Sequence, residues 1–89
     1  MVIGEKNWNY LVEEVRHWIE DVDDSTTTDI LESGDMEELA DHIAATISNY
    51  NSPEDFGYPD TMQGDEQMFE DIKYILSEGL YRGWDYVRV

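Results

Sequence analysis

Residues 7–22 read NWNYLVEEVRHWIEDV, and apolar side chains recur along this stretch at the spacing of one helix face. They are Trp8, Leu11, Val12, Val15, Trp18, Ile19 and Val22. At 100° per residue these side chains fall within roughly 120° of arc, with the acidic residues of the stretch opposite them. The pattern predicts an amphipathic helix over residues 7–22 that buries one face in a core.

Two further amphipathic helices are predicted, over about residues 35–49 and 65–78. Asp35 is the expected N-cap of the first, with Glu38 three residues on as in a capping box. Asp65 is the expected cap of the second, and Gly79 is expected to end it. Both segments place their apolar residues on a single stripe, so each helix is expected to contribute one face to the core.

The remaining segments read as connections. Short polar residues and threonines at 23–28 favour an acidic connector, followed by a short helical turn about residues 29–32. Both prolines fall in residues 50–64, which predicts a long loop. Phe56, Tyr58 and Met62 are expected to attach this loop to the core. The tail, residues 80–89, predicts an extended strand that can pair with residues 2–3.

These elements predict one mainly α domain over residues 1–89: a small bundle of about three amphipathic helices, with a short terminal β pairing as an optional addition. The chain is too short to hold a deep, multi-residue active site beside its core. With no cysteine it has no disulfide and no thiolate metal site or nucleophile. No secretory leader and no apolar stretch of membrane-spanning length is evident, which predicts a cytoplasmic protein without membrane contact.

Charge is the strongest compositional signal. The chain carries 22 Asp and Glu against 5 Lys and Arg, a net charge of −17. Such an excess opposes folding by self-repulsion, so a folded chain that keeps it is expected to use the field. The bases are scattered and form no patch. Direct binding to nucleic acid is therefore not expected, because the phosphate backbone is itself densely negative.

A calcium loop is the sharpest metal candidate. Oxygen-bearing residues occupy relative positions 1, 3, 5, 7, 9 and 12 of an EF-hand loop, in the order Asp21, Asp23, Ser25, Thr27, Asp29 and Glu32. Position 6, however, is Thr26, where the sharp turn needs glycine. A solvated acidic connector is the preferred interpretation, and no metal and no cofactor are predicted.

No catalytic constellation emerges. His17 and His42 lie on the polar sides of their predicted helices, without HExxH spacing or a nucleophile partner. Both are interpreted as surface histidines, and the chain is predicted not to be an enzyme.

The acidic residues lie where a basic partner could reach them. At one charge per roughly 1.7 Å of duplex axis, 17 charges match about 29 Å of DNA. A helix of about 16 residues is about 24 Å long. The pattern therefore predicts a DNA mimic whose partner is a basic nucleic-acid-binding protein. Its predicted partner-binding residues are Glu13, Glu14, Glu20, Asp21, Asp23, Asp24, Glu37, Glu38, Asp41, Glu70 and Asp71.

The segment DMEELADHI, residues 35–43, resembles the Ocr-type antirestriction proteins of phages, and the similarity extends over about residues 10–50. The resemblance implies a small acidic helical protein that mimics DNA and blocks restriction enzymes; some anti-CRISPR proteins use the same strategy. This chain departs from the family by ending in GWDYVRV, residues 83–89, where the family has a long acidic tail. Dimer geometry and target are therefore not carried over, and a homodimer is an open expectation.

Two other functions fit the composition. The chain could be an acidic interaction module that binds a basic protein without imitating DNA, or a halophilic domain whose acidity serves solvation alone. The aromatic residues of the tail, Tyr81, Trp84 and Tyr86, either complete the core or form a partner or dimer contact.

Overall fold

The computed structural model describes residues 3–89 as a bundle of helices with no strand in that range. Its elements in chain order are α1 (Glu5–Arg16), which continues into a π-helical turn (His17–Asp21), α2 (Ser25–Ser33), α3 (Met36–Ser48), a 3-10 turn (Pro53–Phe56), α4 (Met62–Arg82) and α5 (Trp84–Val87). The predicted mainly α bundle is confirmed. No helix among the described residues is long and apolar enough to cross a membrane.

Side-chain caps fix where the helices begin. The Asp35 side chain accepts a hydrogen bond from the Glu38 amide at the start of α3, as the sequence predicts. The Asp24 carboxylate caps α2 through the Thr26 amide. Thr61 caps α4 through the Gly64 amide, so the prediction of Asp65 as the cap is wrong and the helix begins one turn earlier. These bonds satisfy amides that have no partner within the helix.

The core lies around the long helix α4. Helix α4 packs against α3, α1 and α5, and α3 packs in turn against α2. The largest fully buried side chains come from α1, α3, the 3-10 turn and α4: Leu11, Val12, Val15, Leu39, Ile43, Ile47, Phe56, Ile72, Ile75 and Leu76. The apolar stripes predicted from the sequence therefore meet in one core.

The tail is helical, so the predicted strand over residues 80–89 is wrong. Helix α4 continues through Gly79 to Arg82, and α5 follows after Gly83. The tail docks on α1 through the Trp8 indole N–H, which donates to the Val87 carbonyl oxygen at 2.6 Å, and through paired Asn9–Val89 hydrogen bonds. Val2, half of the predicted β pairing, lies outside the described residues.

Two other connections differ from expectation. Residues 25–33 form the full helix α2 where a connector with one helical turn is predicted, because Thr27 and Ile30 are buried against the bundle. In the loop before α4, Phe56 and Tyr58 are buried as predicted. Met62 is 79% exposed, so it does not attach the loop to the core.

Candidate partner-binding surface

The net charge is confined to the middle of the chain. Residues 17–72 hold 17 of the 22 acidic residues and no lysine or arginine, whereas the residues on either side hold five acids and five bases. The bases are thus not scattered along the chain. The charge is located by the long interval without a base between Arg16 and Lys73. A search for short motifs does not detect this interval.

The fold turns this interval into a surface. Residues 17–72 supply the π-helical turn, α2, α3, the 3-10 turn and the first half of α4, while residues 1–16 and 73–89 together carry no net charge. Nearly all the acidic side chains of the interval are exposed; only Asp24 and Asp71 are half-buried. We call the acidic surface of α2, α3 and the first half of α4 the acidic face.

Four of the five bases are held by carboxylates of the chain. Arg16 lies 3.7 Å from Glu20 and 3.9 Å from Asp21, and Arg82 lies 3.0 Å from Glu78. Arg88 pairs with Glu13, and Lys73 pairs with Glu37. Of the residues predicted to bind a partner, Glu13, Glu20, Asp21 and Glu37 therefore already neutralise a base within the fold.

Asp24 has a structural role between α2 and α3. Its carboxylate accepts a hydrogen bond from the Thr27 hydroxyl at 3.0 Å and lies 2.9 Å from His42 Nε2. The His42 hydrogen bond, with that of Thr27, lowers the pKa of Asp24. The interpretation of His42 as a surface residue is wrong, because its half-buried ring joins α3 to the cap of α2.

Asp71 has a structural role between α4 and the loop before it. The buried Tyr58 hydroxyl donates to its carboxylate, and the Gln67 amide donates to its second oxygen at 3.0 Å. Burial of Tyr58, together with this hydrogen bond, raises the pKa of the phenol. Asp71 therefore attaches the loop before α4 to that helix.

The five remaining predicted residues are Glu14, Asp23, Glu38, Asp41 and Glu70. Within the described range, the structure gives their side chains no ion pair and no hydrogen bond. Asp41 and Glu70 both act on Lys73, whose pKa is raised chiefly by its hydrogen bond to Glu37 and also by these two charges. The structure thus brings α3 and α4 acids together around one lysine, on the acidic face.

The geometry does not fit the calcium-loop interpretation. Positions 5 to 12 of the proposed loop form helix α2, and the Thr27 hydroxyl at position 7 is buried in its bond to Asp24. An EF-hand loop instead wraps its oxygen ligands around the ion. Among residues 3–89 no group of three or more histidine and acidic side chains is placed to hold a metal.

A cleft opens at one end of the acidic face, between the end of α3, the 3-10 turn and the start of α4. Its volume is about 360 Å³. Apolar side chains and short polar side chains line it together, with Asp65 the one carboxylate among the lining residues.

The neutral end of the molecule carries exposed aromatic side chains. The Arg82 guanidinium lies 5.6 Å from the Tyr81 ring centre and 4.8 Å from that of Tyr86. Trp84 packs against the core and donates its indole N–H to Glu20 at 2.7 Å. The tail therefore both completes the core and leaves two tyrosines on the surface.

Comparison of this chain with protein-family models, with curated proteins and with solved structures gives no match.

Proposed function

We propose that this protein is a non-enzymatic DNA mimic that inhibits a nucleic-acid-binding defence enzyme, of restriction or CRISPR type, by occupying its basic groove. The observation that carries the proposal is the confinement of the whole net charge of −17 to residues 17–72. A basic groove built for phosphates attracts such a surface through the same long-range field that attracts DNA.

The charge density supports this partner. The molecule is 33 Å along its longest axis, and a duplex of that length carries about 19 phosphate charges at one per roughly 1.7 Å. The chain carries −17 over the same distance. Ordinary soluble surfaces intersperse both signs of charge, whereas residues 17–72 contain no base. Lys73 is the one base that the described structure pairs with an acid of the acidic face.

The test is affinity purification with the full chain from cells that carry restriction or CRISPR systems, followed by competition with duplex DNA. We expect a nucleic-acid-binding protein to be retained and to be released by DNA and by salt. Retention of a basic protein that DNA does not displace would refute mimicry and favour the acidic interaction module.

Two matched pairs of substitutions separate the effect of where a charge lies from the effect of the total charge. Asp41→Asn with Glu70→Gln removes two charges from the acidic face, and Glu5→Gln with Asp85→Asn removes two exposed charges from the neutral part. Because each exposed ion pair contributes up to about 1 kcal/mol, the first pair is expected to weaken partner binding about tenfold at low salt. The second pair is expected to have little effect, and equal losses from the two pairs would contradict the proposed face.

A further inference from the structure

The cleft on the acidic face has the chemistry of a site for one cationic side chain. Its lining combines the apolar residues Ala44, Met68 and Phe69, which we call the floor, with polar residues that include Ser48, Asn51 and Asp65, which we call the rim. An apolar floor accommodates a hydrocarbon stem, and a carboxylate with neighbouring polar oxygens accommodates a charged head. The volume of about 360 Å³ lies near the lower end of ligand sites, which span roughly 300–1,000 Å³.

The cation cannot come from within the same part of the chain, because residues 17–72 contain no lysine or arginine. Arg16, Lys73, Arg82 and Arg88 are each engaged in ion pairs with carboxylates that do not line the cleft. Lys6, the fifth base, is exposed in the first turn of α1 and does not line the cleft. The surrounding net charge favours a cation arriving from another molecule.

We propose that this cleft anchors one arginine side chain of the basic partner. The proposal rests on the proposed function and adds to it the residue type that the acidic face recognises. Arginine is favoured over lysine because its planar guanidinium is weakly hydrated, stacks on aromatic rings and pairs with carboxylates through two parallel bonds. Phe69 supplies the aromatic side chain and Asp65 the carboxylate.

The test uses two synthetic probes, a peptide of six arginines and a peptide of six lysines, in calorimetric titrations of the full chain. Ala44→Leu fills the floor without changing charge, and Ala45→Leu is its control, because Ala45 is exposed and does not line the cleft. We expect the wild type and the Ala45→Leu variant to prefer the arginine peptide by at least fivefold. We expect Ala44→Leu to abolish that preference.

A second pair of variants tests the carboxylate. Asp65→Asn is expected to reduce the arginine preference, and Asp60→Asn, which removes an exposed acid outside the cleft, is expected to preserve it. Ser48→Leu, at the rim, replaces Ala44→Leu if circular dichroism shows that the latter does not fold. Equal binding of the two peptides by the wild type would overturn the proposal, as would an unchanged preference after the cleft is filled.

The outcome is distinguishable from that of the proposed function. If filling the cleft abolishes the arginine preference but duplex DNA does not release the purified partner, the anchor site is retained and DNA mimicry is refuted. If duplex DNA releases the partner but the wild type binds the two peptides equally, mimicry is retained and the anchor site is refuted.

Discussion

Replacing glycine with alanine usually stabilises a helix, but at Gly79 we expect the replacement to destabilise the fold. The reason is that Trp84 of α5 packs against this position. In an exposed helix interior, alanine is favoured over glycine by about 1 kcal/mol. Here a Cβ at Gly79 would lie 3.2 Å from Trp84 Cδ2 and closer still to Cε3 and Cζ3. The ring cannot withdraw freely, because its indole N–H donates to Glu20 at 2.7 Å. Overpacking of this kind costs typically about 1–3 kcal/mol, so we expect Gly79→Ala to destabilise the fold by about 1 kcal/mol net.

The assay is urea unfolding followed by circular dichroism, with Gly79→Ala made both in the wild type and in a Trp84→Leu background. Leucine lacks the ring atoms that the new Cβ would overlap, so in that background the same substitution should stabilise by up to about 1 kcal/mol. The change of sign between backgrounds is the result that tests the packing. Stabilisation in both backgrounds would refute the docking of α5 on Gly79.

Three further predictions concern charge and assembly. Raising the salt concentration from about 0.05 to 0.5 M should raise the melting temperature, because screening weakens the repulsion among the acidic residues. An unchanged melting temperature would contradict this prediction. A rise that occurs only in molar salt would favour the halophilic alternative. The pKa of Asp24 in the folded protein is lower than the ordinary aspartate value of 3.8, so the ionised carboxylate stabilises the fold. This contribution is complete well above pH 3.8 and is lost as the pH falls through the pKa of the folded state. The stability difference between wild type and Asp24→Asn should therefore be larger at pH 7 than at pH 2, and urea titrations at both pH values test it. In a homodimer, which the sequence leaves open, the exposed Tyr81 and Tyr86 are the expected contact. Tyr81→Ser with Tyr86→Ser should then reduce association in sedimentation equilibrium, and association as strong as that of the wild type would contradict this contact.

Elements with a local apolar period were predictable, and elements that depend on tertiary contacts were not. The helices over about 7–22, 35–49 and 65–78 correspond to α1 with its π-helical turn, α3 and most of α4, because each repeats apolar residues over three or more turns. Helix α2 has poor intrinsic propensity, and its stability depends on the contacts of Asp24 and Thr27 with His42, which is distant in sequence. Helix α5 has only four residues, too few to show a period.

The acidic face, like the fold, could be predicted from the sequence only in part. Which acids are exposed follows from helix periodicity, but which of them already neutralise Lys73 or Arg88 depends on how the helices pack. The fold itself does not require the charge to be concentrated. Since repulsion falls with distance, 17 excess acids spread over the whole surface would oppose folding less than the same acids gathered in residues 17–72. Solvation alone therefore favours an even distribution. The uneven one, with the whole excess of acids in residues 17–72 and none in the residues on either side, supports a surface that acts on a basic partner.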